Sequence, residues 1–156
     1  MLPIVTGAAP ADVRVRPATS ADIEAMHRIR VAVHENRLRD PGSVQPEDYA
    51  RQLAPPGLGV VAEYESGLLG FAIADVESSR IWALFVDPLF EGRGVGRRLH
   101  DALVDALFAR GLTQLHLSTD PGTRAERFYR QAGWEPTADT AGGEVCYRLT
   151  AERWPL

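Results

Sequence analysis

The sequence predicts an α/β fold of the broad α+β kind, in which helices flank a mixed central sheet. Two strand-like runs joined by a short turn precede several strand-helix-strand units, and this order is typical of such a sheet. The length of 156 residues suits one hydrophobic core and is too short for two. We therefore predict a loose N-terminal tail over residues 1–12 and a single domain over residues 13–156.

The N-terminal part of the chain predicts a short strand followed by two helices. Residues 13–16 alternate like a half-buried strand that Pro17 stops, and residues 19–22 carry the capping signal of a helix. We expect this helix to end between residues 37 and 40, before an Asp-Pro-Gly breaker, and Pro46 to open a second, short helix. One face of the first helix is apolar and consists of Ile23, Met26, Ile29 and Val33.

The middle of the chain predicts a hairpin, a third strand and the clearest helix. Residues 59–64 and 68–74 are the two hairpin strands, and residues 81–86 form the next strand. Gly111 is placed to end the following helix as a left-handed C-cap. Apolar residues recur in this helix at helical spacing, at Val95, Leu99, Ala102, Leu103, Ala106 and Leu107.

The C-terminal part predicts a strand, a capped helix and a last strand. The strands cover residues 113–118 and 145–149. Between them, Thr123 and Glu126 form a Thr-x-x-Glu capping box that opens a helix, and Gly133 closes it.

The composition excludes several classes of protein. Hydrophobic residues make up 45% and charged residues 24% of the chain, as in ordinary globular proteins. The formal net charge is −4 and the arginines are interspersed with acidic residues, so we expect no nucleic-acid partner. No run is long and apolar enough to span a membrane, and the N-terminal residues lack the pattern of a signal peptide, so we expect no membrane association.

The cysteines and histidines give no sign of a metal site. Cys146 is the only cysteine, which excludes an internal disulfide and a cysteine-based zinc site. His27, His100 and His116 do not share the spacing of metal ligands, so we expect no metal. A single unpaired cysteine fits a reducing compartment, from which we predict a cytoplasmic location.

Residues 81–96 combine a strand, a turn with three alternating glycines and the start of a helix. Amide N–H groups of a first helical turn lack partners within the helix, and the helix dipole adds partial positive charge, so such a turn binds anions. Arg93, Arg97 and Arg98 add charge suited to a diphosphate. The turn lacks the ending of a P-loop, and Arg97 breaks the dinucleotide fingerprint. Glycines also make tight turns that bind no ligand. The pattern by itself therefore leaves two interpretations open, an anion-binding turn and a purely structural turn.

Residues 84–99 resemble motif A of the GCN5-related N-acetyltransferases (the GNAT family), in which Gln/Arg-x-x-Gly-x-Gly/Ala receives the pyrophosphate of coenzyme A. The segment reads Leu84-Phe85-Val86-Asp87-Pro88-Leu89-Phe90-Glu91-Gly92-Arg93-Gly94-Val95-Gly96-Arg97-Arg98-Leu99. The resemblance implies that the strand edge at Leu84 and Val86 binds the pantetheine amides. Glu91 replaces the usual Gln or Arg, and we expect its side chain to point to solvent. The backbone amides implied to bind the diphosphate are those of Gly92, Arg93, Gly94, Val95, Gly96 and Arg97.

Residues 123–134 resemble the family's motif B, Ala-x-x-Phe-Tyr-x-x-x-Gly-Phe/Trp, here from Ala125 to Trp134. The two motifs occur in order with a strand between them, which is more specific than either motif alone. The resemblance implies a GNAT acyl-CoA N-acyltransferase fold, acetyl-CoA as co-substrate and acetyl transfer to a primary amine of a small molecule or peptide. It also allows a homodimer, because dimers are common in the family. Gly122 stands where many members have an Asn that contacts the pantetheine arm.

Tyr129 matches the tyrosine that usually acts as general acid in this family. Attack of an amine on a thioester expels a thiolate, and a donor that meets the developing charge lowers the barrier. With a phenol pKa of about 10 and a thiol pKa of about 8.5, full proton transfer is uphill by roughly 2 kcal/mol. The site must therefore shift these two pKa values, or Tyr129 must donate a hydrogen bond without transferring its proton. Alternatively, Tyr129 is simply part of an apolar helical stripe with Ala125 and Ala132.

The sequence does not identify a general base. An alkylamine with a pKa of about 10.4 is neutral in roughly one molecule in 2,500 at pH 7, so a proton acceptor is needed. The carboxylate that histone-type members place before motif A is absent from residues 78–82. The nearest alternative bases are Glu77, Asp75 and Glu63, each of which also fits a solvent-exposed charge at a strand end. An ordered water is a further alternative.

The resemblance places the acceptor at the first two helices and the loop between them. Each candidate residue also has an ordinary structural role, as a helix-end hydrogen bonder, a core aromatic or a hairpin charge. The candidates are His34, Glu35, Trp82 and Glu144.

Two other functions stay open at this point. A non-catalytic acyl-CoA-binding module would carry the same motifs and would explain Glu91, Gly122 and the missing base. A nucleotide-binding regulator would be stabilised by ATP or NAD and not by coenzyme A.

Overall fold

The computed structural model describes residues 12–36, 44–65 and 67–155. Within these ranges, seven strands form one sheet and four α-helices pack on it, with short 3-10 turns at Ser20–Asp22 and Pro88–Phe90. The strands are β1 Arg14–Pro17, β2 Leu58–Tyr64, β3 Gly67–Asp75, β4 Arg80–Val86, β5 Gln114–Thr119, β6 Glu135–Ala141 and β7 Glu144–Thr150. The helices are α1 Ile23–Asn36, α2 Pro46–Leu53, α3 Val95–Ala109 and α4 Arg124–Gln131.

The sheet is mixed, with the strand order β1-β2-β3-β4-β5-β7-β6. Neighbouring strands are antiparallel except for β4 and β5, which run parallel. Their pairing is confined to Arg80 and His116, beside a hydrogen bond of 2.8 Å from the His116 amide to the Ser79 carbonyl. Beyond these residues β4 and β5 diverge, and the gap between them interrupts an otherwise continuous sheet.

β4 carries one extra residue relative to β3. Ile73 pairs with Ala83 and Ala74 pairs with Ile81, so Trp82 has no partner on β3. Such a bulge bends its strand and re-aims a side chain. The bend lies where β4 begins to leave β5.

Each face of the sheet has its own hydrophobic core. On one face, α3 and α4 cover a core that contains Leu99, Leu103 and Tyr147. On the other face, α1 and α2 cover Tyr49 and Phe71, both fully buried. Alternate residues of the central strands supply the two cores, as the period of two in a strand requires.

The predicted mixed sheet with flanking helices is confirmed, and so are most of its elements. The capping box of the first helix forms between Thr19 and Asp22, and Asp22 also accepts two hydrogen bonds from Arg16, at 2.9 and 3.0 Å. Pro46 opens α2 as predicted. The predicted end of the first helix at residues 37–40, the tail up to residue 11 and the loop between the first two helices lie outside the described residues.

Two predictions about the C-terminal part were wrong. β6 was not predicted, because its segment from Glu135 contains Pro136 and few strand-favouring residues. β6 lies at the sheet edge, where a proline is tolerated. The capping box of α4 forms only in half: the Thr123 hydroxyl accepts from the Glu126 amide, but the Glu126 carboxylate accepts from the Gly122 amide at 2.9 Å. The second carboxylate oxygen of Glu126 accepts from the Tyr147 hydroxyl, which draws the side chain away from the box.

No helix among the described residues is long and apolar enough to cross a membrane. The cytoplasmic location and the single domain over residues 13–156 stay predictions.

Candidate functional site

Two cavities open where β4 and β5 diverge. The turn cavity, of about 330 Å³, lies between β4, the glycine turn, the start of α3 and α4. The strand-end cavity, also about 330 Å³, lies between β4 and the carboxyl end of β5. The two share a boundary made of Leu84, Ala125 and Tyr129.

The glycine turn leaves its backbone open to the turn cavity. Gly92 and Gly94 have φ angles of +74° and +86°, in the left-handed region, and a Cβ on either would meet nothing within 4 Å. Gly94 is also the N-cap of α3. Because glycine has no side chain to accept from the first amides of the helix, these N–H groups remain available to a ligand. The turn therefore has the geometry of an anion-binding site.

Gly96 differs from Gly92 and Gly94, because it lies against neighbouring side chains. A Cβ at this position would be 3.4 Å from Val86 Cγ2 and 3.7 Å from Phe128 Cε1, which are ordinary van der Waals distances. Gly96 lines the turn cavity beside β4 and α4.

The arginines of the turn are not equivalent. Arg97 lines the turn cavity, and its Nε donates to Asp101 at 2.9 Å. Arg93 stacks 5.4 Å from the ring centroid of Phe90. Arg98 turns away and donates to the carbonyl of Val13 at 2.9 Å. The prediction that Arg98 adds charge to the anion site was therefore wrong, since its guanidinium is directed towards β1.

Glu91 does not simply point to solvent as expected. It lines the turn cavity, and its carboxylate accepts from Nη1 of Arg124, at the start of α4, at 2.9 Å. This ion pair bridges the glycine turn and α4 at the cavity wall. Arg124 also lines the cavity, so it supplies positive charge that the sequence analysis did not assign to the site.

Tyr129 faces both cavities although its side chain is only 8% exposed. Within the described part of the chain its hydroxyl has no hydrogen-bond partner. Burial raises the pKa of Tyr129 well above its usual value, because the phenolate would be desolvated. The side chain is therefore a neutral hydroxyl at the junction of the two cavities, with its proton available for donation.

The strand-end cavity has charges of opposite sign on its two walls. Arg30 of α1 lies on the β4 side, together with Trp82, the bulged residue. Asp120 follows β5 and Glu144 begins β7, and both line the other side. The register that pairs Thr119 with Val145 brings these two carboxylates to the same end of the sheet.

Of the candidate acceptor residues, Trp82 and Glu144 line the strand-end cavity. His34 and Glu35 belong to the last described turn of α1, but their side chains lie outside the described part of the structure. Arg30, Thr119 and Asp120 line the same cavity and were missed by the sequence analysis. The sequence around Arg30 gives no indication of a functional role, since Arg30 looks like any other residue of a helix. The position of Asp120 directly after a strand was the only available hint.

The three carboxylates considered as general base lie elsewhere. Glu63 accepts from Arg14 and Arg16, both at 3.1 Å, and the hydrogen bond from Arg16 is the main cause that lowers its pKa. Asp75 and Glu77 border a separate depression beside residues 51–57. None of the three lines the strand-end cavity, so the structure does not support them as the base.

Comparison with known proteins places this arrangement in a family. Residues 23–134 match the profile described as the acetyltransferase (GNAT) family. A mycothiol acetyltransferase of Beutenbergia cavernae is 37% identical over 67 residues, which are 42% of this chain and 23% of that protein. A chloroplastic GCN5-related N-acetyltransferase 2 of Arabidopsis thaliana is 31% identical over 88 residues, which are 54% of this chain and 33% of that protein. The chain thus spans a third or less of the length of these two relatives.

Solved structures with this fold are similar over most of the chain. The ribosomal-protein-S18-alanine N-acetyltransferase from Escherichia coli superposes with a TM-score of 0.74 at 20% identity, over 88% of this chain and 93% of that one. The PaiA N-acetyltransferase from Thermoplasma acidophilum, solved in complex with coenzyme A, has a TM-score of 0.70 at 16% identity, over 89% and 99%. At these identities the likeness is one of fold.

Proposed function

Because the chain belongs to the GNAT acetyltransferase family, we propose that it transfers the acetyl group of acetyl-CoA to a primary amine of a small molecule or peptide. One observation carries the proposal: the turn cavity, with its open backbone amides, and the strand-end cavity, with opposite charges on its walls, meet at the neutral hydroxyl of Tyr129. A cofactor-binding module without activity has no need of the second cavity.

The turn cavity fits acetyl-CoA. The amides of residues 92–97 would hold the diphosphate, since the left-handed glycines leave open space in front of them. Arg97 and Arg124 add positive charge at the same cavity. The edge of β4 at Leu84 and Val86, which β5 leaves unpaired, would bind the pantetheine amides. When bound, the co-substrate supplies an acetyl group activated as a thioester.

Tyr129 acts as the proton donor. In the reaction a bond forms from the amine nitrogen to the acetyl carbon while the carbon–sulfur bond breaks, so the sulfur needs a proton or a hydrogen bond. The raised pKa of Tyr129 keeps its hydroxyl protonated. The same apolar surroundings also disfavour a free thiolate, so the departing sulfur needs the hydrogen bond of Tyr129 as its charge develops. The hydroxyl of Tyr129 donates towards the sulfur.

Asp120 and Glu144 prepare the amine. An ammonium group entering the strand-end cavity meets their two carboxylates on one wall. A carboxylate pair favours the cation and then accepts the proton that the amine must lose before it attacks. Removal of this proton and donation by Tyr129 balance the reaction.

The test is release of free coenzyme A thiol from acetyl-CoA over a panel of primary amines. The proposal expects turnover with at least one acceptor, and it expects acetyl-CoA to raise the melting temperature. Near 100 times its dissociation constant a ligand stabilises by roughly 2.7 kcal/mol, which a melting experiment detects. Tight binding of acetyl-CoA with no turnover on any amine would favour the non-catalytic module. Stabilisation by ATP or NAD alone would favour a nucleotide-binding regulator.

A further inference from the structure

The guanidinium of Arg30 is held between aromatic rings beside the strand-end cavity. Its Cζ lies 5.2 Å from the ring centroid of Trp82 and 4.8 Å from that of Phe85. Tyr49 is a third aromatic neighbour: burial is the main cause that raises its pKa, and the positive charge of Arg30 partly offsets the rise. Stacking on aromatic faces fixes the plane of a guanidinium and leaves its polar edge for a planar anion.

Among the described residues, the charge of Arg30 is only partly compensated. Nη1 of Arg30 is buried and has no hydrogen-bond acceptor there. Asp48 is close enough to interact with Arg30 through space, but its carboxylate forms its hydrogen bonds with Arg51 and the Gln45 amide. A partly buried cation is costly unless its charge is offset, and no acidic side chain in the described ranges forms an ion pair with Arg30.

We propose that the strand-end cavity takes an amine that also carries a carboxylate, such as a free amino acid or a short peptide with a free C-terminus, and that Arg30 binds this carboxylate. The inference rests on the proposed function and names the class of its acceptor. The ammonium end of such a molecule lies towards Asp120 and Glu144, near Tyr129, and the carboxylate end lies towards Arg30 on the opposite wall. A purely cationic amine such as a polyamine would bring a second positive charge to Arg30.

Binding measurements test this without requiring turnover. The probes are free amino acids and dipeptides, each paired with its carboxamide, with spermidine as the purely cationic amine. They are titrated into the protein with coenzyme A present, which occupies the turn cavity without allowing transfer. We expect each preferred acid to bind more tightly than its carboxamide by about tenfold, the effect of one charge-assisted contact.

Variants of α1 test whether Arg30 causes the preference for the acid over its carboxamide. Arg30→Gln is expected to abolish the preference for the acid over its carboxamide, and Arg30→Lys, which keeps the charge, to retain part of it. Arg28→Gln is the matched control, because Arg28 is exposed on the same helix and lies outside the cavity lining. Cooperative melting and stabilisation by coenzyme A show that each variant is folded.

Every outcome of these measurements either supports or overturns the inference. Equal binding of acids and carboxamides, tighter binding of spermidine, or no binding of any acid would overturn it. A preference for acids that survives in Arg30→Gln would overturn the role of Arg30. Failure of the proposed function is a separate result: acids bind as expected, but no probe releases coenzyme A thiol from acetyl-CoA.

Discussion

The indole Nε1–H of Trp134 donates a hydrogen bond of 2.9 Å to Nε2 of His100 inside the core. An indole only donates, so Nε2 must be unprotonated and the proton of the neutral imidazole sits on Nδ1, which lies 2.8 Å from Asp101 Oδ1. The bond ties motif B to the helix that follows the glycine turn. Asp101 in turn accepts from Arg97, which lines the turn cavity.

This contact makes folding stability depend on pH. Burial is the main cause that lowers the pKa of His100, which is 1% exposed, below its usual value of about 6.5. The unfolded chain therefore binds a proton more readily than the folded one, and the free energy of unfolding falls as the pH drops through and below about 6.5. Urea unfolding between about pH 7.5 and about pH 5.5 measures the slope.

A variant isolates the contribution of this residue. In His100→Leu the slope should be flatter even if the variant is less stable at every pH, because the buried imidazole is gone. An unchanged slope would show that protonation of His100 is not coupled to unfolding.

Gly94→Asp should abolish binding of acetyl-CoA while the protein stays folded. The carboxylate would project into open space in front of the amides and repel the diphosphate. The left-handed φ of +86° adds backbone strain of about 1–2 kcal/mol. Gly111→Asp is the matched control, because Gly111 has a φ of +99° beyond the other end of α3 and carries the same kind of strain. The control should still be stabilised by acetyl-CoA; unchanged affinity in Gly94→Asp would refute the assignment of the diphosphate site.

Tyr129→Phe should lower kcat by about 10²-fold or more and leave the affinity for acetyl-CoA nearly unchanged. The substitution removes only the hydroxyl, which has no partner in the described structure, so the apolar packing of the ring is kept. Tyr64→Phe, on β2 away from both cavities, controls for loss of a tyrosine hydroxyl. Full activity in Tyr129→Phe would mean that the ring serves packing alone.

Glu91→Gln should tighten binding of acetyl-CoA by about two- to fivefold. The substitution removes a negative charge from the wall of an anion site and releases Arg124 for the ligand, which together have an effect of about 0.5–1 kcal/mol at an exposed position. Arg124→Gln should weaken binding by a similar factor. Titrations at low and high salt check the cause, because the differences should shrink as the charges are screened. Weaker binding in Glu91→Gln would mean that the ion pair organises the turn.

Asp22→Ala should destabilise the fold by about 2–3 kcal/mol. Asp22 is 7% exposed, accepts two hydrogen bonds from Arg16 and completes a capping box with Thr19. The hydrogen bond from Arg16 is the main cause that lowers the pKa of Asp22, so its contribution is present at neutral pH and is lost as the pH falls below about 3.9.

Asp48→Ala is the comparison, because Asp48 completes the equivalent box with Gln45 at the start of α2 and also accepts from an arginine, Arg51, but is less buried. The loss should be smaller than in Asp22→Ala, because an exposed ion pair contributes little to stability. Equal losses in the two variants would show that burial of the Arg16–Asp22 pair adds nothing to the cap.

The geometry of the glycine turn was predictable from the sequence because it is determined locally. Gly92, Gly94 and the helix after them act through backbone amides and φ angles, which neighbouring residues determine. The cap at Thr19 is also determined by neighbouring residues. The position of Tyr129 on one face of α4 follows from the helical period. Periodicity and short-range hydrogen bonding are properties of a segment, so a segment is enough to reveal them.

The residues that line the strand-end cavity come together only through tertiary structure. Arg30 meets Trp82 only because α1 packs on β4 and a bulge turns Trp82 towards it. Asp120 and Glu144 come together only through the register of β5 with β7. These residues are distant in sequence, and their contacts depend on strand order, register and helix packing. The sequence by itself therefore determined the fold class and the open glycine turn, whereas packing across the sheet decided which charges line the strand-end cavity.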